Sequence, residues 1–595
     1  MISFPRPDAE QFFRTDNITH FTVSKDEATL FFNSNINGKF NLWAMDLPNT
    51  YPYPLTFHGQ NSNFVKVDPE NRFLLTGLDQ DGDENFQIYA LPVEGGKPKP
   101  LLTGEKDEKY FFADLTEDGE RLYYVTSKEN PVFLDVRRLN LVSGEDELLI
   151  QGEGNPIFLD SVSPGETNLA FVKHKANTYI PGYVKQGDEH ICLIPDEEAV
   201  YTVSDITFIE ENLVLFVTNY NEEFSYLAQF DLEQRRFEPV LKLENESIMD
   251  LKWHKASRTV YIVTEKGVRD YLYAVDLDHQ SRKEVDLPLE NVQQLHLAES
   301  GTLYLLGRSA TKPFNLMKKS ADGEWEALTN NRVLGIPESD LVDPEVVTYA
   351  SYDGKPIEAL LFRAKEQVAN GYTIFWPHGG PQAAERKFFR GLFQFLLGRG
   401  YHIFAPNFRG STGYGSEFVK MVEGDWGEGP RLDCVSGIEW LFEKGICPRD
   451  KLFVVGGSYG GYMTLLLAGR HPEYFRAAVD IFGPSNLFTF IESVPDHWKP
   501  IMERWLGDPE KDKERLTKDS PITYLERMTK PMLVIQGAND PRVVKAESDT
   551  IVDRLKKQGT EVEYLVLDDE GHGFSRKENE IKVNRLIVDF LERHQ

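Results

Sequence analysis

Cysteine is scarce. Three occur in 595 residues, Cys192, Cys434 and Cys447. Scattered thiols of this kind build no disulfide framework and lack the paired spacing of a cysteine zinc site. A reducing cytoplasm suits such usage. Long apolar runs are also missing: none approaches the roughly 18 residues that a membrane helix requires. The opening Met1-Ile-Ser-Phe-Pro-Arg-Pro-Asp lacks the basic-then-apolar order of a secretion signal. Positive charge is in deficit, 65 Lys and Arg against 95 Asp and Glu, for a formal net charge of -30. A surface of that sign repels nucleic acid and anionic membrane, so neither is an expected partner. The acidic run Asp79-Gln-Asp-Gly-Asp-Glu84 has no closing bidentate glutamate and no flanking helical pattern. It reads as a solvated hairpin loop rather than a calcium loop, and no metal or cofactor is expected.

What is present points to a large folded chain. At 595 residues it exceeds one core, and 41% hydrophobic with 12% aromatic residues is enough to build at least two. Residues 1–17 form an N-terminal extension. Within it Pro7-Asp-Ala-Glu-Gln-Phe-Phe reads as a short amphipathic helix capped by Asp8, packing on the second domain or on another subunit of a homodimer. From 18 to 330 one unit recurs: apolar strand, polar turn, second strand, then a third ending in Asp. Copies begin near Ile18, Phe64, Tyr110, Ile157, Val203, Ile248 and Val292. A spacing of about 45 residues fits four-stranded blades and predicts a β-propeller. Seven blades are expected. Six or eight stay open because the fourth copy is irregular around 173–187.

Residues 331–345 read as a polar linker. From 346 to 595 apolar strands alternate with helical periods, which predicts a largely parallel sheet covered on both faces, an α/β-hydrolase-like domain. Its organising stretch is Gly456-Gly-Ser-Tyr-Gly-Gly461, placed between the apolar run 451–455 and the helical run 462–468. Strand, glycine-flanked serine, helix is the setting of a nucleophile elbow. Glycines permit the sharp turn, Ser458 Oγ is pushed outward, and the Tyr459 amide at the helix start can donate to an oxyanion. A serine hydroxyl needs a base, and His572, in Gly571-His-Gly573 after the last strand, is the candidate. Asp540, just past the strand 532–536, is the candidate for orienting it. The order Ser458, Asp540, His572 is that of α/β-hydrolases. A second oxyanion donor is expected in His378-Gly-Gly-Pro381, at the Gly380 amide. Phe488 and Phe490 follow the strand after the elbow and are candidates for an apolar specificity pocket.

These motifs, with Asn407-Phe-Arg-Gly-Ser-Thr-Gly-Tyr-Gly415 and Gly537-Ala-Asn-Asp-Pro-Arg542, resemble the catalytic domain of the prolyl oligopeptidase family of serine peptidases. The His-Gly-Gly-Pro form is most similar to its acylaminoacyl-peptidase branch. The resemblance implies that Arg542 binds a substrate backbone carbonyl beside the scissile residue. It also implies an exopeptidase that releases N-acylated amino acids from short peptides, with the propeller excluding folded proteins. An oligopeptidase or carboxypeptidase of the same family, a carboxylesterase, and an inert hydrolase under a binding propeller are the alternatives. A dipeptidyl peptidase needs carboxylates for a free amino terminus. Glu222-Glu223 is such a pair, but it lacks the helical glutamate motif of that branch and reads as a solvated turn.

Overall fold

The computed structural model describes residues 6–279 and 281–595. Between Ile18 and Ala327 lie seven four-stranded antiparallel sheets, each made of four strands consecutive in sequence. Blades open at Ile18, Ser62, Tyr110, Ile157, Val203, Ser247 and Asn291, so the blade number is seven. A single sheet cannot bury both of its faces alone. Each blade therefore packs on its neighbours, and an apolar cluster fills every gap between blades. One cluster joins the first blade to the last, with Phe21 and Phe32 against Leu306 and Leu316. Among the described residues, no strand is exchanged at this seam. Instead, the Gln294 side chain pairs with both backbone groups of Phe21, at 3.0 and 2.9 Å.

The irregular fourth copy has a structural cause. Its residues 174–181 leave the sheet and reach the second domain. Asn177 Nδ2 donates to Gln382 Oε1 at 2.9 Å, and the Thr178 hydroxyl bonds to Glu423. The excursion interrupts the strand pattern because it serves an interface, not a sheet.

The C-terminal domain is an eight-stranded sheet. Its strands are β1 (Glu345–Ala350), β2 (Pro356–Phe362), β3 (Thr373–Phe375), β4 (His402–Pro406), β5 (Leu452–Gly457), β6 (Ala478–Ile481), β7 (Met532–Gly537) and β8 (Val562–Leu567). The spatial order is β1-β2-β4-β3-β5-β6-β7-β8, parallel from β4 onward. Alternate residues serve opposite faces: Phe375 and Val454 enter one core, Ile374 and Val455 the other. Helices cover both faces.

The described part of the N-terminal extension, residues 6–17, packs on this domain. Helix α1 (Ala9–Phe13) opens with the Gln11 side chain accepting the Asp8 amide at 2.8 Å, half of a capping box. It buries Phe12 and Phe13 against Phe395 of α2 (Gly391–Gly398), and Asp8 pairs with Arg585 of α6 (Lys577–Arg593); α3 (Gly429–Glu443), α4 (Tyr459–Arg470) and α5 (Lys545–Lys557) lie between. The first of the two expected docking places is the one it occupies.

Candidate active site

Ser458 sits between β5 and α4 with φ 58° and ψ -124°, a conformation that a non-glycine residue adopts only at a cost of about 1–3 kcal/mol. Close packing holds it there. A Cβ on Gly456 would lie 2.3 Å from Gly460 O, and one on Gly460 would lie 2.2 Å from Pro377 O. Neither neighbour can carry a side chain, which is the physical content of the glycine pattern. The Ser458 amide donates to Ile481 O at 2.9 Å, tying the turn to β6.

Three side chains distant in sequence meet here. His572 Nε2 is 2.9 Å from Ser458 Oγ, and its Nδ1 is 2.6 Å from Asp540 Oδ2. A carboxylate only accepts, so Nδ1 carries the proton and Nε2 is left to accept from the serine hydroxyl. The other Asp540 oxygen accepts the amides of Arg542 and Val543, each at 2.9 Å, which fixes the carboxylate in the turn after β7. Asp540 is 4% exposed, so bulk water does not compete for it. Two features that sequence reasoning passed over complete the support. The Phe482 ring lies 4.4 Å from the His572 ring, and buried Glu570 braces the loop beyond it by accepting the amides of Ser575 and Arg576 at 2.8 and 3.1 Å.

Tyr459 is the first residue of α4, where amides lack intrahelical partners; its hydroxyl donates to Trp426 O at 2.6 Å, so the side chain is committed to packing. The His378–Pro381 loop passes directly over the serine. A Cβ on Gly379 would be 3.2 Å from Gly457 O and 3.5 Å from Ser458 Cβ, while Gly380 has φ +127°. His378 is structural. Its ring stacks on Phe408 at 4.2 Å, and burial lowers its pKa to about 4, so it stays neutral.

The specificity expectation needs correction. Phe490 is 3% exposed and packs 5.7 Å from Trp426 inside the core, while Phe488 is partly buried against the same cluster. Both belong to the short helix Leu487–Ser493, which turns its apolar side inward. The cavity holding Ser458 and His572, about 560 Å³, is lined instead by Phe482, Phe574, Phe12, Phe13 and Phe389, together with Arg542 and Arg308.

The loop 79–84 also departs from expectation. It is no solvated hairpin but the propeller's contact with the catalytic loops. Gly82, with φ +84°, approaches Gly571 so closely that a Cβ would lie 2.4 Å from the Gly571 amide nitrogen. Asn539 Nδ2 donates to Asp81 O at 3.1 Å, and Arg576 pairs with Asp81 at 2.7 Å. Glu84 grips the Arg542 guanidinium with both oxygens, at 3.0 and 2.9 Å. Asp79 is 5% exposed; burial, aided by the charge of Asp83, pushes its carboxyl up to about 7. The acidic run is half-buried, and Asp81 and Glu84 are met there by cationic residues of the other domain. Glu222 pairs with Lys242, as a surface turn would, but Glu223 is not free: it accepts the Glu417 amide at 2.9 Å, tethering the propeller to the second domain.

Fold and site together define a serine hydrolase, an α/β-hydrolase domain under a seven-bladed propeller. Residues 387–595 match the prolyl oligopeptidase family. The match lies within the catalytic domain, and the chain is a serine hydrolase whose relatives are peptidases. The chain is 27% identical over 598 residues to dipeptidyl aminopeptidase BIII of Pseudoxanthomonas mexicana, covering 96% of this chain and 86% of the relative. It is 29% identical to the acylamino-acid-releasing enzyme of Arabidopsis thaliana, but there the match covers 42% of this chain and 33% of the relative. The crystal structure of puromycin hydrolase superposes with a TM-score of 0.86 at 16% identity, covering 99% of this chain and 96% of that one. Among the described residues, no helix is long and apolar enough to cross a membrane.

Proposed function

We propose that the protein is an exopeptidase acting at the amino end of short peptides through an acyl-enzyme on Ser458. Ser458 Oγ attacks the scissile carbonyl while His572 Nε2 takes its proton, and Asp540 stabilises the imidazolium. The Tyr459 and Gly380 amides receive the oxyanion. Collapse expels the amine, protonated by His572. Water, deprotonated by the same ring, then attacks the Ser458 ester and frees the acyl product. The propeller restricts entry to peptides.

Within that reading, an unblocked amino terminus is the substrate feature best supported. The observation that carries it is the Glu84–Arg542 pair beside the triad. Arg542 can hold a substrate carbonyl, and its partner Glu84 is the carboxylate we assign to the peptide's first ammonium. The full-length similarity to a dipeptidyl aminopeptidase adds support. Release of N-acylated residues is the second reading. It rests on the His378-Gly-Gly-Pro381 loop and on the similarity to acylamino-acid-releasing enzymes. Matched peptides with free and acetylated amino ends, compared by kcat/KM, decide between them. Faster cleavage of the acetylated series would overturn the first. The free thiols Cys192, Cys434 and Cys447 support a reducing, cytoplasmic location.

A further inference from the structure

The cavity that holds Ser458 contains a cation without an anion. Arg308, on the second strand of the last blade, lines it. Its guanidinium lies 3.9 Å from the Phe388 ring centroid and 4.5 Å from that of Phe314. Both rings lie within cation–π reach of the group. Among the described residues, no side chain or carbonyl accepts a hydrogen bond from it, and no carboxylate lies within ion-pair reach.

The nearby carboxylates are committed elsewhere. Glu385 pairs with Arg390 at 2.7 Å and accepts the Trp376 indole. Asp270 pairs with Arg386 at 2.6 Å, and Glu265 faces the same guanidinium at 3.6 Å. Asp16, on the cavity wall, is held by Lys577 at 2.9 Å. Glu580 lines the same cavity and makes no ion pair with Arg308. Arg308 is half-buried; a guanidinium partly withdrawn from water and left unpaired is costly, and the like charges of Arg386 and Arg390 raise that cost, which an anion arriving from outside would relieve. Burial accordingly lowers the Arg308 pKa, to about 9. It remains a cation at neutral pH, with a planar fork that matches a carboxylate.

We propose that Arg308 binds the free C-terminal carboxylate of a short peptide whose scissile bond lies at Ser458. The propeller would thus measure substrate length by recognition of its far end as well as by exclusion. This rests on the peptidase reading above. It assigns a specificity role to a propeller residue that the chemistry of bond cleavage does not use.

The test compares tri-, tetra- and pentapeptides as free acids and as C-terminal amides. With wild-type protein the acid of the best-fitting length should be preferred by about tenfold or more in kcat/KM, as expected for a hydrogen-bonded charge pair. The preference should reside in KM. Arg308→Gln should bring the acid-to-amide ratio near one, and Arg308→Lys should keep part of it. A second measurement is independent of turnover: calorimetric binding of the same peptides to Ser458→Ala, which should favour acids by a similar factor. Equal binding of acid and amide there, or a wild-type ratio near one at every length, overturns the proposal. Should Arg308→Gln fold poorly, those two measurements still decide it. Cleavage of neither series, with acids still bound preferentially by Ser458→Ala, would instead sink the peptidase reading and leave Arg308 as a carboxylate site.

Discussion

In the propeller every sheet consists of four strands that follow one another in the chain, and each blade touches chiefly its neighbours. In the hydrolase domain the sheet order crosses over, and the groups that meet at the elbow come from far apart, Ser458 and His572 being separated by 114 in sequence. The first arrangement repeats a local solution. The second converges on one point, because loops at the carboxyl ends of parallel strands open on the same edge. Yet the propeller is not a passive lid: Glu84 reaches Arg542, Gly82 abuts Gly571, and Arg308 enters the cavity. The triad sits in one region, and the other adds Glu84 and Arg308 to its surroundings.

This division can be broken by experiment. The largest effect should come from the convergent half. Ser458→Ala should reduce kcat on a peptidyl arylamide by about 10⁶-fold and abolish fluorophosphonate labelling. Asp540→Asn should cost about 10⁴-fold, since it reverses the tautomer that His572 presents to the serine; a loss below tenfold would remove Asp540 from the role given to it. Propeller variants should act on binding. Glu84→Gln should raise KM for unblocked peptides by about 10- to 100-fold with a much smaller change in kcat, the size of a lost charge-assisted hydrogen bond. An equal loss on acetylated peptides would show that Glu84 merely positions Arg542.

Gly82→Val probes the seam. Both its positive φ and the closeness of Gly571 oppose a side chain, so the loop must retreat from the His572 loop. A fall in kcat of about tenfold is expected, the order of loss that small misplacement of catalytic groups produces. An unchanged kcat would mean the hydrolase holds His572 unaided. The smallest effect concerns Asp79. Its carboxyl titrates near 7 in the folded chain against an ordinary 3.8. Between those values the folded state holds the extra proton, so stability falls as pH rises from 4 to 7, and the full penalty is present above 7. Asp79→Asn should therefore raise the melting temperature at pH 8 by about 2–4 °C, with the gain vanishing below pH 4. A gain that persists at low pH would contradict the charge explanation.

How legible the chain is depends on where each constraint originates. The seven blades show through their spacing because each copy must bury the same faces. The elbow shows because its strain is resolved by covalent neighbours, Gly456 and Gly460. Phe490 misleads for a corresponding reason: an aromatic following a strand carries the same signal whether it faces a core or a pocket, and the helix direction that settles the matter is not local. The run 79–84 misleads because contact with another domain leaves no trace in a polar turn's own residues. The Lys173–Gly187 irregularity is visible as a disturbance, but its purpose, the contacts of Asn177 and Thr178, is not.

The sequence by itself determined the repeat, the parallel sheet, the nucleophile's turn and the chain order of the groups that could serve it. These rest on period, on steric limits at single residues, and on the short-range pairing of apolar stretches. Only the tertiary structure decided which acids are buried, which arginine is gripped and which stands free, and which aromatics face the cavity. Those outcomes depend on desolvation and charge pairing between segments hundreds of residues apart, and such energies exist only once the two domains have closed on each other.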